Sequence, residues 1–176
     1  MNKIIITYGL IAGAIVTAFM AGGIYYYDRN PDFQGGMFVG FTGMLVAFSF
    51  VFIGVKKYRD NYNDGVITFG KALKIGAWIS LIASTIYVGV WLIEYYCFYP
   101  DFMDKYSAAE LKRINASTTL SAVDIKAKKE EIEMYKEAYK NPFLIILWTY
   151  VEVLTIGLPA PLISALILKK KQAATS

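Results

Sequence analysis

The chain of 176 residues is 56% hydrophobic and only 18% charged, with a formal net charge of +4 at pH 7. Its mean hydropathy is +0.42. The charges stand in blocks between long apolar stretches, whereas a soluble domain intersperses them along helix faces or strands, so this composition excludes a soluble globular class. With no histidine and one cysteine, Cys97, no intrachain disulfide, zinc motif, Ser-His-Asp or Cys-His arrangement is available.

Four apolar stretches follow in chain order, at 4–26, 37–55, 73–93 and 143–168. Each holds about the 20 residues that a helix needs to cross a hydrocarbon core of about 30 Å. The expected fold is all-α: an integral membrane four-helix bundle, a single membrane domain over 1–176, with an extracytoplasmic helical loop at 95–141 between the third and fourth helices. A competing reading makes the first stretch a signal sequence. Against it stand an apolar run longer than an ordinary h-region, a single basic residue before it (Lys3) and no A-x-A site at Ala18–Ala21.

Small residues recur four apart in the first three stretches: Gly9, Gly13 and Thr17, with Ala14, Ala18 and Gly22 beside them; Gly36 and Gly40; and Ala72, Gly76, Ser80 and Ser84. Such rows let helix backbones approach closely where lipid supplies no hydrophobic drive between helices. Packing within the monomer is one use of them and a homodimer interface is another. Aromatic residues gather near stretch ends, as at Tyr25-Tyr26-Tyr27, Trp91, Tyr95-Tyr96, Tyr99 and Trp148. They read as an interfacial belt, with a ligand-lined vestibule as the alternative.

The connection after the second stretch is basic, carrying Lys56, Lys57, Arg59, Lys71 and Lys74 against Asp60 and Asp64. With Lys3 and Lys169-Lys170-Lys171 this puts nine basic residues against two acids at one end, while the other end is slightly acidic. Basic residues near helix ends stay cytoplasmic and long loops translocate regardless of charge. The expectation is a multi-pass protein of the bacterial inner (plasma) membrane with both termini cytoplasmic. Within this connection Thr68 is the expected N-cap of the third helix, and Arg59 has Asp60 and Asp64 as candidate partners.

In the long loop, Ser107-Ala-Ala-Glu110 and Ser121-Ala-Val-Asp124 each fit an S-x-x-[DE] capping signal, the first closer to the standard box. A Lys/Glu/Ala-rich helix is expected over 123–139, with Ile125, Ile132, Tyr135 and Tyr139 as its apolar stripe and Lys128–Glu131 and Lys129–Glu133 as side pairs. It caps the mouth of the bundle, runs into the fourth helix, or offers a surface to a partner. Glu94, at the outer end of the third helix, is expected to be solvated.

The fourth stretch stands apart. Asn141-Pro142 opens it as cap and first helical residue. Glu152 lies ten residues in, where low dielectric favours its neutral acid. Gly157, Pro159 and Pro161 predict a kink or local unwinding near 154–157, since each proline removes a backbone donor, and freed carbonyls at that depth need partners. Glu152 with Ser80, Ser84 and Thr85 forms the candidate intramembrane polar site. One reading has Glu152 hydrogen-bonded to a neighbouring helix through Ser80, Ser84, Thr85 or Thr17; a second makes it a proton-coupling or ligand group; a third places it facing water.

The strings Ile53-Gly54-Val55-Lys56-Lys57-Tyr58-Arg59-Asp60 and Thr68-Phe69-Gly70-Lys71-Ala72-Leu73-Lys74-Ile75-Gly76, the long loop closed by Asn141-Pro142 and the Leu168-Lys169-Lys170-Lys171 ending carry a resemblance over essentially the whole chain. It resembles a bacterial, Bacteroidetes-type inner-membrane family, domain of unknown function 4199. The resemblance implies a four-helix membrane protein and lends no catalytic residues. The expected function is a non-enzymatic accessory, scaffold or assembly protein, without cofactor or metal. Its expected partners are the lipid bilayer and a second copy or another membrane protein, not nucleic acid. The alternative is a small proton- or ion-linked transporter or channel component using Glu152 and the broken fourth helix. A lipid-directed membrane enzyme ranks behind both, because the intramembrane carboxylates are isolated.

Overall fold

The computed structural model describes residues 1–30 and 36–170; Lys171 of the charge count, and Asp32 among the acids of the opposite end, lie outside the described residues. Its helices are α1 (Asn2–Arg29), α2 (Gly36–Tyr62), α3 (Phe69–Ile93), α4 (Phe102–Ala116), α5 (Ala122–Ala138), α6 (Pro142–Gly157) and α7 (Pro159–Leu168). A π-helical turn, Glu94–Phe98, extends α3. Four spans are long and apolar enough to cross a membrane: Asn2–Arg29, Phe38–Tyr62, Phe69–Phe98, and Pro142–Leu168, the last made of α6 and α7. The expected all-α membrane bundle with a helical insertion before the last span is therefore the architecture observed.

α3 is the hub. It packs against α1, α2, α6 and α7 and has the largest buried share of the four spans. Its close neighbours are set by glycine. A Cβ at Gly9 would stand 2.8 Å from Cβ and Cγ2 of Ile82, and one at Gly13 would stand 2.6 Å from Cδ1 of Ile86. Gly9 and Gly13 thus let α1 lie parallel to α3 at near backbone contact, the dispersion-driven packing that small residues permit in lipid. Gly76 does the same for α7, where a Cβ would meet Pro161 Cβ at 3.0 Å. Gly22 and Gly40 have nothing within 4 Å of an added Cβ, so the small-residue rows are only partly used inside the chain.

One end of the bundle gathers the amino terminus, the connection between α2 and α3, and the end of α7. Ile67 and Lys170 exchange both backbone hydrogen bonds, at 3.0 and 2.9 Å, tying that connection to the chain end. Asp64 and Gly65 take positive φ, 51° and 73°, and make the turn that the Asn/Asp/Gly run promises. Thr68 caps α3 through Lys71 N–H at 3.4 Å, as expected. Arg59 pairs with Asp60 at 2.6 Å, which decides between its two candidate partners.

At the opposite, capped end the long loop folds into the α4–α5 pair. Ser121 and Asp124 form a complete capping box, but Ser107 does not start a helix. It sits inside α4 and donates to the Met103 carbonyl at 2.7 Å, because the chain has already turned helical at Phe102 after the Pro100-Asp101 turn. α5 ends before Asn141, whose side chain accepts from Phe143 N–H at 2.9 Å; α5 and α6 are separate helices. Ile132 is buried, and Tyr135 and Tyr139 are half-buried. Among the described residues Lys128–Glu131 and Lys129–Glu133 do not close as ion pairs; Lys126–Glu130 at 3.9 Å and Lys136–Asp104 at 3.7 Å do. The Lys126–Glu130 pair lies on the exposed face of 123–139, whereas Lys136 is drawn to α4.

Aromatic rings fasten this cap to the bundle. Phe102 of α4 meets Tyr27 of α1 at 6.0 Å and Trp91 of α3 at 5.0 Å between ring centroids. Tyr139 meets Tyr95 at 5.4 Å, and Tyr135 meets Trp148 of α6 at 5.5 Å. Such offset and edge pairs each add about 0.5–1.5 kcal/mol beyond their buried area. Lys105 bridges Asp28 at 2.6 Å and Asp101 at 3.0 Å, and those hydrogen bonds hold its ammonium above the ordinary lysine range. Part of the expected aromatic belt therefore serves as a clasp, while Tyr25, Tyr26 and Tyr96 remain exposed.

Candidate intramembrane polar site

The site lies where α3 meets the broken fourth span. On α3, Ser80, Ser84, Tyr87, Trp91 and Glu94 follow at alternating spacings of four and three, which places them on one stripe of a helix. The first four are buried. Opposite them α6 buries Ile145, Thr149, Val153 and Gly157, and α7 buries Pro161, Ser164, Ala165 and Leu168.

Residues 154–157, where the sequence predicts a kink or local unwinding, stay within α6, and the boundary with α7 falls at Leu158. Pro159 and Pro161 lack N–H groups and cannot serve the carbonyls of Thr155 and Gly157, four residues earlier, as a continuous helix would. Gly157 faces into the bundle: a Cβ there would stand 3.3 Å from the Phe48 ring and 3.4 Å from Ser84 Oγ. Leu158 itself keeps helical dihedrals and donates to the Leu154 carbonyl at 3.0 Å; Gly157, Pro159 and Pro161 flank it, and Ser84 lies beside Gly157.

Glu152 is exposed at the edge of the α3–α6 seam, and its Oε1 accepts the Tyr87 hydroxyl at 3.3 Å. It is tied to a neighbouring helix, but through Tyr87 and not through Ser80, Ser84, Thr85 or Thr17. Thr17 and Thr85 donate back to the Gly13 and Leu81 carbonyls of their own helices, at 2.6 and 2.8 Å. Thr85 also meets Tyr150 Oη of α6 at 3.0 Å. Tyr87 and Thr85 are two residues apart on α3, as are Glu152 and Tyr150 on α6. Two residues turn a helix by about 200°, so the two polar contacts clasp opposite edges of the seam.

Ser80 and Ser84 behave differently. They are 3% and 0% exposed, and neither Oγ has a hydrogen-bond partner. A buried hydroxyl left so carries a cost of about 1–3 kcal/mol. Glu94 corrects another expectation. The residue is half-buried, and one of its carboxylate oxygens, Oε2, is buried and unpartnered. Glu94 and Tyr139 both lie within electrostatic reach of the Tyr87 phenol. Burial, followed by the charge of Glu152, pushes the Tyr139 phenol up, against a lowering hydrogen bond with Trp91.

Sequence reasoning missed Tyr87, Tyr139 and Tyr150. A signal was present for two of them: Tyr87 and Tyr150 fall inside apolar stretches, where a phenol hydroxyl must find a partner on another helix. Among the described residues no group of three or more His, Cys, Asp or Glu is placed to hold a metal ion.

The basic residues divide in two. Arg59 is held by Asp60, and Lys71 by Asn63 Oδ1 at 3.0 Å and the Tyr58 ring at 5.0 Å. Lys56, Lys57 and Lys74 are exposed. The first pair builds the turn; the other three face outward at the same end as Lys169 and Lys170.

These features define a multi-pass helical membrane protein with a capped end, a basic end and a polar seam along its central helix. The profile of one family, described as protein of unknown function (DUF4199), matches residues 7–170, and the chain belongs to that family. No curated protein and no solved structure matches it.

Proposed function

We propose that this is a non-enzymatic accessory, scaffold or assembly protein of the bacterial inner membrane, with both termini cytoplasmic and the α4–α5 cap outside. The observation that supports it most is the use of intramembrane polar groups as helix clasps: Tyr87–Glu152 and Thr85–Tyr150 join α3 to α6. Groups so placed hold a fixed surface for a partner, either another membrane protein or a second copy of this chain. Purification in mild detergent should recover a stoichiometric membrane partner or a homodimer, and repeated recovery of a lone monomer would count against the reading. For orientation, Cys97 is exposed at the capped end; an impermeant thiol reagent should label it from outside, and labelling only after access to the cytoplasm would invert the arrangement.

A second reading, a small proton- or ion-linked transporter component, is favoured by the unpartnered Ser80 and Ser84 beside the proline break. On it, Glu152→Gln abolishes a proton- or ion-linked flux in proteoliposomes while the protein stays folded. Unchanged flux would remove it.

A further inference from the structure

Five other helical hydroxyls in this chain, those of Thr17, Thr85, Ser107, Thr149 and Ser164, donate to the carbonyl four residues back. Ser80 and Ser84, buried as deeply as any of them, do not. They are thus available as both donors and acceptors, on the same α3 stripe as Tyr87 and Glu94. From Glu94 to Ser80 that stripe spans about 21 Å at 1.5 Å per residue, against a hydrocarbon core of about 30 Å. Beside its middle, exposed at the edge of the seam, Glu152 is hydrogen-bonded to Tyr87; at its upper end Glu94 has a buried, unpartnered oxygen. At its lower end the stripe meets Gly76 packed on Pro161, where an added Cβ would have only 3.0 Å.

We propose that Glu94, Tyr139, Tyr87, Glu152, Ser84 and Ser80 form a proton-loading file that opens at the capped end, closes at the Gly76–Pro161 contact, and holds its proton on Glu152. The step is a simple transfer. A hydronium ion at the capped end gives one proton inward and is left as water; the Glu152 carboxylate gains an O–H bond, and no group changes oxidation state. Tyr87 keeps its own proton and donates to the acid's other oxygen, so it orients Glu152 without being consumed. Ser84 and Ser80 extend the file to the break, where the prolines leave carbonyls unserved.

The groups facing Glu152 suit this role. From α3 it is Tyr87, which donates to it, and from the end of α5 Tyr139 lies within its electrostatic reach; Glu94 lies within reach of Tyr87. Val39 to Val55 of α2 and all of α7 carry no titratable side chain. No cation in the described residues forms an ion pair with Glu152 or Glu94, and two carboxylates fall short of a metal cluster. This inference deepens the transport reading, but proton loading of Glu152 can be tested without any flux.

The test is infrared difference spectroscopy of the whole protein in lipid nanodiscs, titrated in H₂O and D₂O. Among the carboxylic C=O bands that the fourteen Asp and Glu residues give as pH falls, the wild type should show one component, shifted in D₂O, that belongs to Glu152. Glu152→Gln should remove that component; Tyr87→Phe should keep it at a changed frequency; Glu94→Gln should keep it but slow its exchange. A Glu152→Gln difference spectrum identical to that of the wild type overturns the proposal, as does a Glu152 component indifferent to both Tyr87→Phe and Glu94→Gln. Should Glu152→Gln not fold, the two remaining variants decide alone. Loss of flux without these infrared signatures would retain transport and remove the file; the signatures without flux would do the reverse.

Discussion

The contact between α1 and α3 can be broken at one methyl group. In Gly9→Ala the new Cβ meets Ile82 Cβ and Cγ2, both at 2.8 Å. Ile82 Cβ is fixed to the α3 backbone, so no rotamer change relieves the clash and α1 must retreat by several tenths of an ångström along its contact. Overpacking of this kind costs about 1–3 kcal/mol, against a gain of about 0.5–1 kcal/mol for replacing a mid-helix glycine by alanine. At Gly13 the nearest atom is Ile86 Cδ1, at 2.6 Å, the far end of a flexible side chain. Gly13→Ala should therefore cost less than Gly9→Ala and be eased by Ile86→Val. At Gly22 nothing lies within 4 Å, and Gly22→Ala should be neutral or stabilising. The assay is unfolding in mixed micelles with increasing SDS, followed by far-ultraviolet circular dichroism. Equal effects at Gly9 and Gly22, or a stabilising Gly9→Ala, would refute the claim of near backbone contact between α1 and α3.

Three further outcomes follow from the structure. Ser121→Ala removes the α5 capping box and should cost that helix about 0.5–2 kcal/mol, seen as lost helicity and as faster hydrogen exchange over α5. In the wild type the Ser121 hydrogen bonds hold Asp124 below its ordinary 3.8. A depressed carboxylate stabilises above its unfolded value and loses that contribution as pH falls through the folded one, so α5 should fray at acid pH, and Ser121→Ala should flatten this response. Lys105 is held above 10.5 by Asp28 and Asp101; its contribution to cap docking is complete below 10.5 and lost as pH climbs through the raised value. Thermal unfolding between pH 9 and 12 should show that loss in the wild type, and Lys105→Met should lack it. Gly157→Ala, with 3.3 Å to the Phe48 ring, should cost about 1 kcal/mol by pushing α6 away from α2, read in the same SDS titration.

Most of the scaffold was legible because each piece rests on a local rule. Span lengths follow from bilayer thickness, the break from Pro159 and Pro161, the α3 start from Thr68, and the α6 start from Asn141-Pro142. The site was legible only in part. Glu152 announces itself as a carboxyl among apolar residues, but its partner depends on how α6 rotates against α3, which no local pattern states. The rows of small residues point to Ser80 and Ser84, while the stripe of alternating fours and threes, read further, leads on to Tyr87 and Glu94. Ser107 misled because its capping pattern is short, and Phe102 had already begun the helix. Glu94 misled because burial of a single carboxylate oxygen depends on tertiary packing, which its neighbours in sequence do not state.

The clasp between α3 and α6 is tested most directly by a double-mutant cycle of Tyr87→Phe and Glu152→Met, with stability measured in the bilayer-mimetic SDS titration. Interhelical hydrogen bonds in membranes couple by about 0.6 kcal/mol on average and up to about 1.7, and the 3.3 Å contact predicts a coupling within that range. Strictly additive losses would contradict it and would free Glu152 from the helix that the structure gives it.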